Sequence, residues 1–160
     1  MKNKNKKDLF LKAKNYCFYL LKFRARSESE IYRRLKEKGF SEEIIKEIIA
    51  YLKEKKFLND LEFCKEWINS KINKKFGLER IKHELKQKGI ETKIIEKEIE
   101  RIKEEYPEDK IISEIIKDRL KRIKNLNPKK LKTKLFGYLV RRGFKIENVQ
   151  DLLNQYIKDE

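Results

Sequence analysis

The groups in this sequence best suited to chemistry are its cations. Lys and Arg number 43 against 27 Asp and Glu, a formal net charge of +16. The surplus is concentrated: from Lys117 to Lys145 twelve basic residues stand against one acid, Asp118, whereas Glu28 to Glu62 is balanced. A run without acids predicts attraction to polyanions, meaning nucleic acid, an acidic protein surface or anionic lipid. Lys129, Lys130, Lys132, Lys134, Arg141 and Arg142 are the candidate contact residues, with Arg24 and Arg26 near the other end of the chain. Lys-, Glu- and Ile-rich composition also marks thermophile proteomes, and a solvating lysine face needs no partner. Such a bias accounts for the lysines but not for the absence of acids between 119 and 145.

Catalytic chemistry has little to work with. His83 is the only histidine and has no Cys or His at ligand spacing, so it reads as a surface residue. There is no glycine-rich phosphate loop, and the abundant acids alternate with Lys at helical spacing, as solvated ion-paired faces do. No enzyme activity, cofactor or metal is expected. Cys17 and Cys64 sit among apolar neighbours and read as buried reduced thiols, which suits a cytoplasmic protein. Trp67, four residues after Phe63 on one helical face, reads as core rather than as a base-stacking platform. No apolar run approaches a membrane span, and the Lys-rich start lacks the apolar centre of a signal peptide.

The elements that must position these cations are helices, and three of them end in the same phrase. Leu35 to Gly39-Phe40, Leu85 to Gly89-Ile90 and Leu139 to Gly143-Phe144 each place a leucine four residues before a glycine and an apolar residue after it. This is the pattern of a Schellman helix stop, with the glycine left-handed at C′ and the flanking apolar pair in contact. The register extends further. Ile31, Ile81 and Leu135 lie eight residues upstream of the glycines, and Ile45, Ile95 and Val149 lie six downstream. A period of about 50 residues marks a repeat architecture.

Capping signals divide each period. The first helix runs from about Asp8, a candidate N-cap, to Arg24, after a loose basic arm at 1–7. Ser27 and Glu30 have the form of a capping box, and Ser41 caps the helix after Gly39. Asn59 or Asp60 caps the next helix, Tyr106-Pro107 breaks the chain, and Asn127-Pro128 opens the helix that carries the densest positive charge. The prediction is all-α: three tandem three-helix repeats at 8–57, 58–105 and 106–160, which as an array present an extended surface to a long partner.

Four passages, in this order and spacing, resemble the RecX family of bacterial regulatory proteins. They are Arg24-Ala25-Arg26-Ser27 to Glu30 through Gly39-Phe40; Phe57-Leu58-Asn59-Asp60 through Phe63; Gly77-Leu78-Glu79-Arg80-Ile81 through Gly89-Ile90; and Leu139 through Arg141-Arg142-Gly143-Phe144. The match covers residues from about 12 to 157. The resemblance implies an elongated, curved array of three repeats that lies in the groove of a RecA filament on DNA. It also implies a negative regulator that dampens RecA's ATPase and strand exchange, and so bears on recombination, DNA repair and the SOS response. Under it the expected partners are the RecA nucleoprotein filament and, weakly and without sequence preference, DNA; no membrane is expected, and the expected state is a monomer. An alternative is a helix-turn-helix DNA-binding protein without a RecA partner. A third class, membrane-surface association through the basic arm, lacks the basic amphipathic helix with exposed aromatics that it needs.

Overall fold

The helix stops read from the sequence are present in the computed structural model, which describes residues 2–123 and 127–158. Lys124 of the basic run lies outside the described residues. Gly39, Gly89 and Gly143 have φ of 83°, 74° and 89°. Behind each, the amide after the glycine donates to the leucine carbonyl five residues back: Phe40 to Leu35 at 3.2 Å, Ile90 to Leu85 at 3.1 Å and Phe144 to Leu139 at 3.4 Å. The three leucines are fully buried.

Among the described residues there are nine helices and no strand. They are α1 (Lys2–Phe23), α2 (Glu28–Glu37), α3 (Glu42–Glu54), α4 (Asp60–Ile72), α5 (Leu78–Gln87), α6 (Thr92–Lys103), α7 (Glu108–Arg122), α8 (Pro128–Arg141) and α9 (Ile146–Tyr156). They fall into tandem three-helix repeats, each with its glycine turn between the second and third helix. The capping box holds: the Glu30 amide donates to Ser27 Oγ at 3.1 Å and the Ser27 amide to Glu30 Oε2 at 3.2 Å. Ser41, Asn59 and Asn127 also accept first-turn amides with their side chains.

One boundary differs from the expectation. Where the sequence suggests a loose arm at 1–7 and a start at Asp8, α1 already runs from Lys2, and Asp8 lies inside it. The reason is tertiary: Lys6 Nζ reaches Glu43 at 2.7 Å and Glu47 at 2.6 Å on α3, so the first turns gain partners that local sequence does not reveal.

The chain forms two compact units that do not follow the repeat period. One comprises residues up to Glu66 together with Leu85–Ile94; the other comprises Trp67–Glu84 together with residues from Ile95 onward. The second repeat is thus shared between them. In the first unit, Ala13, Cys17 and Leu20 of α1 close over Ile31 and Leu35 of α2 and the isoleucines of α3. In the second, Ile112 and Ile116 of α7 pack with Leu131, Leu135 and Leu139 of α8 and Val149 and Leu153 of α9. Both cysteines are buried thiols, and burial pushes Cys17 up to about 11. Trp67 is half-buried, its Nε1 donating to Glu84 at 3.1 Å with Lys71 over its ring.

Candidate functional site

Which cations can meet a partner depends first on which are used to build the chain, and the glycine turns decide this. Within the first unit, the turn at Lys88-Gly89 sits on the N-terminus of α2. Ser27 Oγ donates to the Lys88 carbonyl at 2.6 Å, and a Cβ on Gly89 would fall 2.3 Å from that of Ser29. Within the second unit, the turn at Arg142-Gly143 sits in the same way on the start of α5. The Gly77 amide donates to the Arg142 carbonyl at 2.8 Å, and a Cβ on Gly143 would fall 2.2 Å from that of Arg80. An acid from the first helix of the following repeat completes each joint: Asp60 accepts the Glu28 amide and Glu108 the Leu78 amide, both at 2.8 Å. Burial raises the pKa of both acids, and the amide bond opposes it.

Two candidate arginines belong to this framework. Arg24 makes a two-pronged pair with Glu30 at 2.8 and 3.0 Å, and Lys88 adds a contact at 3.3 Å. Burial alone would push the Glu30 carboxyl up, but the Arg24 bonds, the Ser27 amide and the Lys88 charge outweigh it and hold the pKa at about 2. Arg142 is still more engaged. Its Nε donates to the Lys75 carbonyl at 2.9 Å, its terminal nitrogens reach the Lys74 carbonyl and the Tyr138 hydroxyl, and its plane lies 4.4 Å from the Phe76 ring centre. Arg80 stacks on the same ring at 4.3 Å. Arg26 is half-buried, with Nε donating to the Leu20 carbonyl at 3.3 Å. Burial, then the nearby Arg24 charge, lower its pKa.

The remaining candidates lie on α8. Its inner side is Leu131, Leu135 and Leu139, all buried. At about 100° per residue, Lys130, Lys134, Gly137 and Arg141 fall on one outer side, and the three cations are exposed. Gly137 leaves room for Arg141 to lie back along the helix, its NH1 3.1 Å from where a Cβ would be. At the same 100° per residue, Lys129 is exposed about a third of a turn away from that side, and Lys132 is half-buried nearly opposite it, toward the leucine side. Between Pro128 and Arg141 there is no acid to neutralise this side.

The structure therefore separates the six candidates at the C-terminal end. Lys130, Lys134 and Arg141 share a face, Lys129 and Lys132 lie away from it, and Arg142 is turned inward to the loop between α4 and α5. Sequence reasoning missed Arg80, Asp60 and Glu108 as joint residues. Their signal is only their place in the repeat, since Gly77 and Ser27 each lie twelve residues before the next glycine.

Among the described residues no group of His, Cys, Asp and Glu is placed to hold a metal, and no helix is long and apolar enough to cross a membrane. The concavity of the first unit beside Tyr32, Lys53 and Asp60 offers no converging reactive groups. Asp60 is turned to the Glu28 amide, and Lys53 pairs with the Glu28 carboxylate at 2.8 Å.

Comparison with known proteins matches residues 13–52 to the first three-helix domain of RecX and residues 59–98 to its second three-helix domain. Regulatory protein RecX of Caldanaerobacter subterraneus subsp. tengcongensis is 37% identical over 142 residues, covering 89% of this chain and 69% of that one. Regulatory protein RecX of Haemophilus influenzae (strain PittEE) is 30% identical over 142 residues, covering 88% and 92%. In fold, a crystal structure of regulatory protein RecX superposes with a TM-score of 0.75 at 24% identity, over 96% of this chain and 74% of that one. RecX from Lactobacillus salivarius does so with 0.74 at 20% identity, over 92% and 96%. With both family domains matched in order and relatives aligned over most of their length, this chain belongs to the RecX family of regulatory proteins.

Proposed function

We propose that the protein is a negative regulator of RecA, a monomer acting in the cytosol that binds in the groove of the RecA–DNA filament and dampens ATPase and strand exchange. The observation that carries this reading is the acid-free outer side of α8 in a chain of the RecX family. Lys130, Lys134 and Arg141 stand there one to two helical turns apart, exposed and without a neutralising acid on their own helix. Such a stripe meets acidic protein surface or phosphate. It also gives DNA a weak affinity that ignores sequence and falls with salt.

The test is steady-state ATP hydrolysis by the cognate RecA on single-stranded DNA with this protein titrated in. Inhibition is expected at protein concentrations well below that of DNA, and the variant Lys130→Glu/Lys134→Glu/Arg141→Glu should lose it. Arg142 stays intact in that variant because its guanidinium holds the loop before α5. Inhibition unchanged in the variant removes α8 from the contact. Inhibition that vanishes once DNA is in excess argues for a DNA-binding protein without a RecA partner. The helix-turn-helix form of that alternative draws little support from α3, the helix after the first glycine turn. One of its sides is buried isoleucine, and its Glu42, Glu43 and Glu47 hold Lys36 and Lys6, a poor face for a phosphate-lined groove. A discrete footprint on duplex DNA would revive it.

A further inference from the structure

Helix α1 carries large apolar side chains on two sides, and the core of the first unit uses only one. Ala13, Cys17 and Leu20 are buried. On the other side Leu11, Lys12, Asn15, Tyr19, Lys22 and Phe23 fall within an arc of about 120°, and all six are exposed. Tyr19 is 60% and Phe23 65% exposed, and their rings meet edge to face with centres 5.0 Å apart. Large side chains left in water beside one another, on a helix already packed from behind, leave a face open to a second partner.

The charge around the rings says what kind. Among its 22 residues α1 has one acid, Asp8, and Lys12 and Lys22 stand among the exposed aromatics. Neither lysine has an ion-pair partner among the described residues. A neutral apolar protein surface would leave both cations unmatched. A membrane-surface helix buries one continuous apolar side in lipid, whereas here Lys12, Asn15 and Lys22 interrupt it. Ring next to cation, repeated along one side, is the arrangement that takes a base on the ring and its phosphate on the ammonium. Tyr19 and Phe23 are one helical turn apart, about 6 Å along the axis, a spacing that lets neighbouring bases of an extended strand reach both.

We propose that the outward face of α1 is a stacking platform for single-stranded nucleic acid, with Tyr19 and Phe23 taking bases and Lys12 and Lys22 the backbone phosphates. This deepens the weak DNA affinity of the proposed function by giving it a second location and a preference for unpaired strand, and it can be tested without RecA.

The experiment measures binding of a short labelled oligo-dT by fluorescence anisotropy across a salt series, with a duplex of equal length and phosphatidylglycerol vesicles as comparison probes. Tyr19→Ala/Phe23→Ala removes only exposed groups, so the fold should persist, which circular dichroism checks. It should weaken oligo-dT binding by tenfold or more, about tenfold for each lost ring being the usual scale of base stacking, with duplex binding and the salt slope unchanged. Lys12→Ala/Lys22→Ala should flatten the salt slope. Unchanged oligo-dT affinity in the aromatic variant overturns the proposal. So does loss of vesicle binding in place of oligo-dT binding, or loss of RecA inhibition with oligo-dT binding intact, which assigns the face to lipid or to protein. If the oligo-dT results hold while the wild-type protein leaves RecA's ATPase untouched, the platform stands and the regulatory reading falls.

Discussion

Substituting alanine at the three turn glycines should have three different effects, although their local sequences and backbone angles are nearly the same. Each glycine has φ between 74° and 89°, so alanine there brings a left-handed strain of about 1–2 kcal/mol. For Gly39 that is the whole effect, because no described heavy atom lies within 4 Å of the added Cβ. For Gly143 the Cβ would fall 2.2 Å from Arg80 Cβ and 2.7 Å from its backbone nitrogen, an overlap that no rotamer relieves. The joint must open, forfeiting the bond from the Gly77 amide to the Arg142 carbonyl and the stacking of Arg80 and Arg142 on Phe76. Adding about 1 kcal/mol for the hydrogen bond and 1–3 kcal/mol for the forced displacement puts the Gly143 loss at about 3–6 kcal/mol. Gly89 falls between, since its overlap is with the Ser29 side chain, and Ser29→Gly should bring Gly89→Ala down toward the Gly39 value. Urea unfolding gives the totals, and hydrogen exchange at the Gly77 amide gives the local readout. That amide should lose protection in Gly143→Ala and keep it in Gly39→Ala. Equal losses at all three glycines, or a greater loss at Gly39, would refute the role given to the joints.

Two further outcomes follow from the framework arginines and their acid. Glu30 has a folded pKa of about 2 against an ordinary carboxyl value of 4.5, so the folded state favours its ionised form. Its contribution, about 3 kcal/mol at most, is present above pH 4.5 and lost as the pH falls through 2; Arg24 is 45% exposed, and solvent screening reduces the figure. Thermal unfolding from pH 6 down to 2 should show a steeper acid-side fall in the wild type than in Glu30→Gln, and parallel curves would contradict the assignment. Arg142→Ala should destabilise by about 2 kcal/mol through lost backbone bonds and stacking, whereas Arg141→Ala, exposed on α8, should change stability by less than about 0.5 kcal/mol. Calorimetry on both variants separates the framework arginine from the surface one, and a reversed order would overturn it.

Local chemistry made much of this molecule legible without coordinates. The glycine stops, the Ser27–Glu30 capping box, the caps at Ser41, Asn59 and Asn127 and the buried stripe of α8 all depend on groups within about five residues, where backbone geometry leaves few alternatives. The family resemblance was legible for the same reason, because it lies in the order of those local signals. Other assignments depended on partners far away in sequence. Arg141 and Arg142 look alike as neighbours before a glycine, yet Arg142 reaches carbonyls 67 and 68 residues away while Arg141 stays on the surface. Arg24, a candidate contact in the sequence, also clamps Glu30, and the Lys-rich start becomes helix because Lys6 meets Glu43 and Glu47 on α3. The sequence by itself determined where helices begin and end and how often the pattern repeats. Only the tertiary structure decided which cations are used in joining one repeat to the next and which face outward, because a side chain's partner across the joint is set by packing and not by its neighbours in the chain.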